Sequence, residues 1–180
     1  MSAEAGTAPF IVTALLPPEL ARWATDLRTA HFPPERNFLK AHVTLFHALP
    51  YFCGDEARAA LAQETAEHVP VEAELAGLMS LGGGTALKLS SPAMLDLRDR
   101  LAGRFHGLLT AQDSHRPRLH VTIQNKVTAK EAKALQAELA PQITPLRFRF
   151  SGLGLYIYRG GPWDHVRDYP FRGRPVAFRG

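Results

Sequence analysis

The chain alternates short apolar runs spaced by two with longer stretches spaced like helices. Phe10–Leu16 is an apolar, β-favouring run closed by Pro17-Pro18. Proline pre-sets the φ of a first helical turn, so a helix is predicted through Glu19–Ala30. Lys40–Leu45 reads as a strand, Asp55 is placed to cap a helix reaching about His68, and Val71–Ser80 alternates as a strand should. Gly82-Gly83-Gly84 predicts a hairpin turn into a short strand, Thr85–Leu89. Pro92 opens a helix over Ala93–Leu109, and Leu119–Gln124 is the next strand. Thr128 caps a helix over Ala129–Ala140 that Pro141 ends. Leu146–Phe150 and Leu153–Tyr158 read as strands, and Gly160-Gly161-Pro162 turns the chain into an Arg-rich end.

This order repeats. Thr13-Ala14-Leu15, Pro18, a helix and His42-Val43-Thr44-Leu45 are echoed by Thr85-Ala86-Leu87, Pro92, a helix and His120-Val121-Thr122-Ile123. Gly77-Leu78 then lies 35 residues past His42, and Gly152-Leu153 lies 32 past His120. The glycine turns at 82–84 and 160–162 fall at matching places. A repeated strand-helix-strand-helix-strand order predicts two similar lobes, each with a small sheet. No linker-like segment separates them, so residues 1–180 are expected to form one bilobal domain.

Composition narrows the class. A hydrophobic fraction of 46% and a charged fraction of 21% suit a soluble globular chain. No apolar run is long enough to span a bilayer, and Met1–Pro9 lacks the layout of a signal peptide. The single Cys53 cannot form an internal disulfide, and its place suggests a core or loop residue. A monomer in the cytoplasm, away from membranes, is the expectation. The net charge is only +4, but acidic residues thin out after Glu138. Arg147, Arg149, Arg159, Arg167, Arg172, Arg174 and Arg179 face only Asp164 and Asp168 there. A basic C-terminal third suits a phosphate-bearing partner, although a solvated charged surface would read the same way.

The two His-Val-Thr-aliphatic segments carry the chemistry. Side chains i and i+2 of a strand point the same way. His42 therefore shares a face with Thr44, and His120 with Thr122, while Val43, Leu45, Val121 and Ile123 take the other face. A pseudo-twofold axis between lobes would bring both His-Thr faces to one cleft. Cleaving a phosphodiester needs a base on the attacking oxygen and an acid on the leaving one. Imidazole can do either near neutral pH. Two threonine hydroxyls can bind the non-bridging oxygens, and no metal is required.

The paired His-aliphatic-Thr-aliphatic motifs, 78 residues apart, resemble those of the 2H phosphoesterase superfamily. The likeness is to its bacterial 2'-5' RNA ligase-like, or RNA 2',3'-cyclic phosphodiesterase, branch. It extends over nearly the whole chain, from Phe10-Ile11-Val12 and Leu16-Pro17-Pro18-Glu19-Leu20 to Leu155-Tyr156 and Gly160-Gly161-Pro162-Trp163. The resemblance implies a bilobal α+β fold, with two small antiparallel sheets flanked by helices around a central cleft. It also implies hydrolysis of 2',3'-cyclic phosphates to 2'-phosphates without a cofactor. The partners would be RNA ends or small nucleotides bearing a cyclic phosphate or a 2'-5' linkage. His42 and His120 become the acid and base, and Thr44 and Thr122 the phosphate ligands. Many members of this branch have an Arg shortly after the second motif, where this chain has Gln124-Asn125-Lys126; Lys126 is the candidate replacement.

The remaining candidates are read against plainer alternatives. His47 lies five residues past His42, on the opposite face if the strand is regular, and reads as structural. His115 reads as a loop residue. Arg118, two before His120, is a better phosphate ligand than Arg116. Neither motif carries a second ligand at zinc spacing. Tyr156 and Tyr158 share a face and either stack on a base or pack in the core; Trp163 reads as packing. Gly82-Gly83-Gly84 is no phosphate loop, since no Gly-Lys-Ser/Thr follows. A binding module without turnover on the same fold is the alternative to an enzyme.

Overall fold

The computed structural model describes residues 6–175. Arg179 lies outside them. The described residues form four helices and eight strands in an α+β arrangement: β1 (Phe10–Leu15), α1 (Pro18–His31), β2 (Val43–Leu49), α2 (Gly54–Glu67), β3 (Val71–Ser80), β4 (Thr85–Ser90), α3 (Pro92–Arg104), β5 (His120–Gln124), α4 (Ala129–Leu139), β6 (Leu146–Phe150), β7 (Gly152–Tyr158) and β8 (Trp163–Pro170).

Local sequence fixes most of these ends. α1 starts at Pro18, as its restricted φ favours. Ser91 and Thr128 cap α3 and α4, their hydroxyls accepting from the N–H groups of Met94 and Glu131. α2 starts at Gly54 without a side-chain cap, so Asp55 sits in the first turn rather than before it. There its charge still suits the positive end of the helix. α3 stops at Arg104, five residues short of the predicted end, because the chain turns through Phe105 and Gly107, where φ is +81°. Gly82, at φ +80°, makes the β3–β4 hairpin, and Leu81 donates to the Gly84 carbonyl at 2.9 Å.

The strands form two antiparallel four-stranded sheets, ordered β2-β1-β7-β8 and β5-β4-β3-β6. The halves of the sequence repeat are interleaved: β3 leaves the first half to pair with β4, and β7 leaves the second to pair with β1. Register corrects one detail of the repeat. Val43 pairs with Ala14 and Val121 with Leu87, so Thr13 is equivalent to Ala86, one residue off the sequence match with Thr85. Gly77-Leu78 and Gly152-Leu153 do correspond, since Leu78 pairs with Leu87 and Leu153 with Ala14.

One contiguous apolar cluster lies beneath both sheets, joining Val12, Leu45, Phe46 and Leu153 to Leu87, Val121, Ile123 and Phe150. β8 was not legible in the sequence. It is an edge strand whose only fully buried residue in 163–169 is Tyr169, so it has no apolar alternation to read. No helix among the described residues is long and apolar enough to cross a membrane.

Candidate active site

Both histidines sit where a strand begins. His120 opens β5, and His42 immediately precedes β2, which runs further towards Leu49 than Lys40–Leu45 predicted. The two rings are held alike. His42 Nδ1 lies 2.8 Å from the Lys40 carbonyl oxygen and His120 Nδ1 2.7 Å from that of Arg118. A carbonyl can only accept, so each Nδ1 carries hydrogen and each neutral ring offers its Nε2 lone pair.

The aliphatic residues anchor these motifs as expected. Val43, Leu45 and Ile123 are fully buried and Val121 nearly so, whereas Thr44 and Thr122 are half-buried on the other face. Antiparallel partners share a face. Thr44 is joined there by Thr13 and His120 by Lys88, two neighbours that sequence spacing did not suggest.

His47 is also brought to this face, contrary to the regular-strand expectation. Val12 pairs with Phe46 but Thr13 with Thr44, so Leu45 is an extra residue in β2. Such a bulge inverts the alternation beyond it. Phe46 drops into the core, and His47 turns outward with its side chain 40% exposed. Asp113, only 1% exposed, fixes the turn. Its carboxylate accepts from the backbone N–H groups of His47 and Ala48 at 2.9 Å and from the His47 ring at 3.1 Å. Burial alone would push the Asp113 carboxyl up, but these donors hold it below its ordinary value. Arg98 donates to the Asp113 and Leu45 carbonyls.

His42 is enclosed more tightly than its position predicts. The Trp163 ring packs against it at 4.5 Å between centroids. Burial lowers its pKa to about 4; the bond to Lys40 opposes the shift, and the charges of Arg28, His120 and His47 add to it. His42 thus lies within electrostatic reach of His120, His47 and Arg28. Strands β2 and β5 touch there. Arg28 ties the halves together: its Nη1 donates from α1 to the Thr122 carbonyl at 3.0 Å, and its Nε to Asn37 at 2.8 Å. Burial pulls its guanidinium down to about 10.

The aromatic residues extend the His42 face. Tyr156 pairs with Ile11 and so lies on the side of Thr13. It hydrogen-bonds the Thr13 side chain, while burial and then the charge of Asp168 push its phenol up. Its ring lies 5.5 Å from Trp163 and 5.4 Å from His165. Gly154 leaves room for this, because a Cβ there would meet Thr13 Oγ1 and the Tyr156 ring. Tyr156 is therefore half-buried at the site rather than in the core, and Tyr158 is exposed further along the strand.

The other predicted ligands are distributed unevenly. Arg118 is exposed beside His120, whereas Arg116 is occupied by Asp96 and Asp99. His115 is exposed in the preceding turn. Lys126 stands at φ +60° beyond β5, where its N–H bonds the Asn125 side chain. Cys53 is buried. No group of three or more His, Cys, Asp or Glu among the described residues is arranged to hold a metal ion.

Paired histidine strands on two interleaved sheets define a class, and sequence comparison supplies the family. The model of the 2'-5' RNA ligase superfamily matches residues 16–162, which contain both motifs. The chain belongs to this superfamily, that of the 2H phosphoesterases, whose members are phosphoesterase- and ligase-like enzymes. Solved structures share the fold. TT0787 of Thermus thermophilus is 17% identical with a TM-score of 0.62, the alignment covering 93% of this chain and 100% of that one. E. coli LigT in complex with NADP+ is 16% identical with a TM-score of 0.57, covering 92% and 99%. The same protein in complex with 3'-AMP gives 16% and 0.55, covering 92% and 98%. No curated protein matches the chain.

Proposed function

We propose that this protein hydrolyses 2',3'-cyclic phosphates, on RNA ends or small nucleotides, to 2'-phosphates without a metal ion. The observation that carries the reading is the matched pair of Nδ1–H bonds to the Lys40 and Arg118 carbonyls. Each leaves an Nε2 able to exchange a proton, on strands that touch. His42, kept neutral by its buried setting, is the base: its Nε2 takes a proton from water as the water oxygen attacks phosphorus. The bond from phosphorus to O3' breaks, and protonated His120 delivers its Nε2 proton to that oxygen. Thr44 and Thr122 donate to the non-bridging oxygens as negative charge grows on them. Replacing water by a 5'-hydroxyl turns the same displacement into 2'-5' ligation. The nucleotides bound to E. coli LigT, 3'-AMP, ATP and NADP+, are consistent with a nucleotide site.

The test is hydrolysis of nucleoside 2',3'-cyclic phosphates in the presence of a chelator. His42→Ala and His120→Ala are each expected to lower kcat by about 10²–10⁴-fold, the usual size of a general acid–base contribution. Activity abolished by chelator would overturn the metal-free route. Tight nucleotide binding without turnover would leave the protein a binding module.

A further inference from the structure

Two cations stand beside His120. Lys88 is the in-register neighbour of His120 on β4, a pairing that puts the two Cβ atoms about 5 Å apart on one face. Lys88 is exposed, and its opposite neighbour on β3 is Gly77, which brings no side chain to cover it. Arg118 precedes His120 by two residues, and its carbonyl already orients the His120 ring.

Lys88 and Arg118 both line a cavity of about 220 Å³, where Ser90 and Ser91 are the other polar residues and the rest of the lining is apolar. Among the described residues, no aspartate or glutamate lines it. Asp96 and Asp99 on α3 bind Arg116, and Glu74 faces Ser90 across β3 and β4 without lining the recess. Two cations thus line one recess beside a candidate catalytic imidazole, with no carboxylate among its lining residues. Positive charge lining a recess favours an anion there.

Resting on the phosphoesterase reading above, we infer that the cavity between Lys88 and Arg118 binds a second phosphate of the substrate, one nucleotide step from the phosphorus attacked at His42 and His120. The preferred substrate class is then a cyclic phosphate that carries a further phosphate on its 5' side, as an RNA end or a 5'-phosphorylated nucleotide does, rather than one ending in a 5'-hydroxyl.

The experiment compares adenosine 2',3'-cyclic phosphate with its 5'-phosphorylated counterpart in the wild type, Lys88→Gln, Arg118→Gln and the double variant. In the wild type the 5'-phosphate is expected to raise kcat/KM about tenfold, mainly through KM, equivalent to about 1.4 kcal/mol. Each single variant should lose most of that ratio, and the double variant all of it. An unchanged ratio in the double variant overturns the inference. So does an equal loss on both compounds, which would assign the cations to the reacting phosphate. Calorimetric binding of 3'-AMP against adenosine 3',5'-bisphosphate separates this inference from the activity itself. A 5'-phosphate advantage in affinity that vanishes in the double variant supports the subsite even if no cyclic phosphate is turned over. The same affinity ratio in both proteins overturns it.

Discussion

At the residue scale, His42 is the group whose environment most changes its chemistry. An ordinary histidine is half-protonated near pH 6.5; this one titrates at about 4, because burial beside Trp163 disfavours its charge. Its ring protons, followed by NMR, should show a midpoint near 4, and Trp163→Ala should raise that midpoint towards the ordinary value by admitting water. A base of this kind stays competent until the pH approaches 4, so the acid limb of kcat/KM assigned to it should lie there; a limb near 6.5 that disappears with His42 would refute the assignment. The linkage to folding has a definite sign. The unfolded chain takes up a proton on His42 from about pH 6.5 downward, while the folded chain resists until about 4. His42 therefore lowers stability as pH falls through that window and leaves it unaffected above. Stability curves of His42→Asn should lack this component.

At the element scale, β2 shows how a local defect builds a site. The bulge at Leu45 and the buried carboxylate of Asp113 turn His47 to the face of Thr44. Asp113→Ala would leave two backbone N–H groups and the His47 ring without their acceptor, at a cost of about 2–3 kcal/mol, measurable by urea unfolding. Asp113→Asn keeps an acceptor oxygen and should lose less. At α3, Ser91→Ala removes the hydroxyl that accepts from Met94 and donates to the Glu72 carbonyl. The expected loss is about 1 kcal/mol, read as a lower Tm. Element types were largely legible because they follow local rules: Pro18 starts a helix, Ser91 and Thr128 cap, and Gly82 turns. The bulge was not, since sequence spacing assumes an unbroken period of two. β8 was hidden for the complementary reason, its exposed edge leaving Trp163 and His165 without an apolar pattern around them.

At the scale of the molecule, α1 packs on the second histidine strand, and the buried Arg28 side chain adds a hydrogen bond between them. Arg28 reaches the Thr122 carbonyl across 94 residues of sequence and stacks over Phe32 at 4.0 Å. Arg28→Met should lower stability and depress kcat more than the distant Arg104→Met, whose ion pair with Glu56 lies on the surface. We propose that the interleaved sheets fold as one unit, since β3 and β7 each complete the sheet begun by the other half. Tryptophan emission from Trp23 and Trp163 should then follow the same urea transition as far-ultraviolet circular dichroism; two separated transitions would contradict it.

The sequence by itself determined the two histidine motifs, the order of the elements as far as β7, the existence of a repeat and the family that these define. Those features rest on local periodicity, on turn and cap chemistry, and on residues close together in the chain. Tertiary structure decided which half supplies each strand, that Thr13, Lys88 and His47 join the histidine faces, and that Trp163 closes over His42. Each of these depends on a strand register or a contact between segments tens of residues apart. Local spacing carries no record of either.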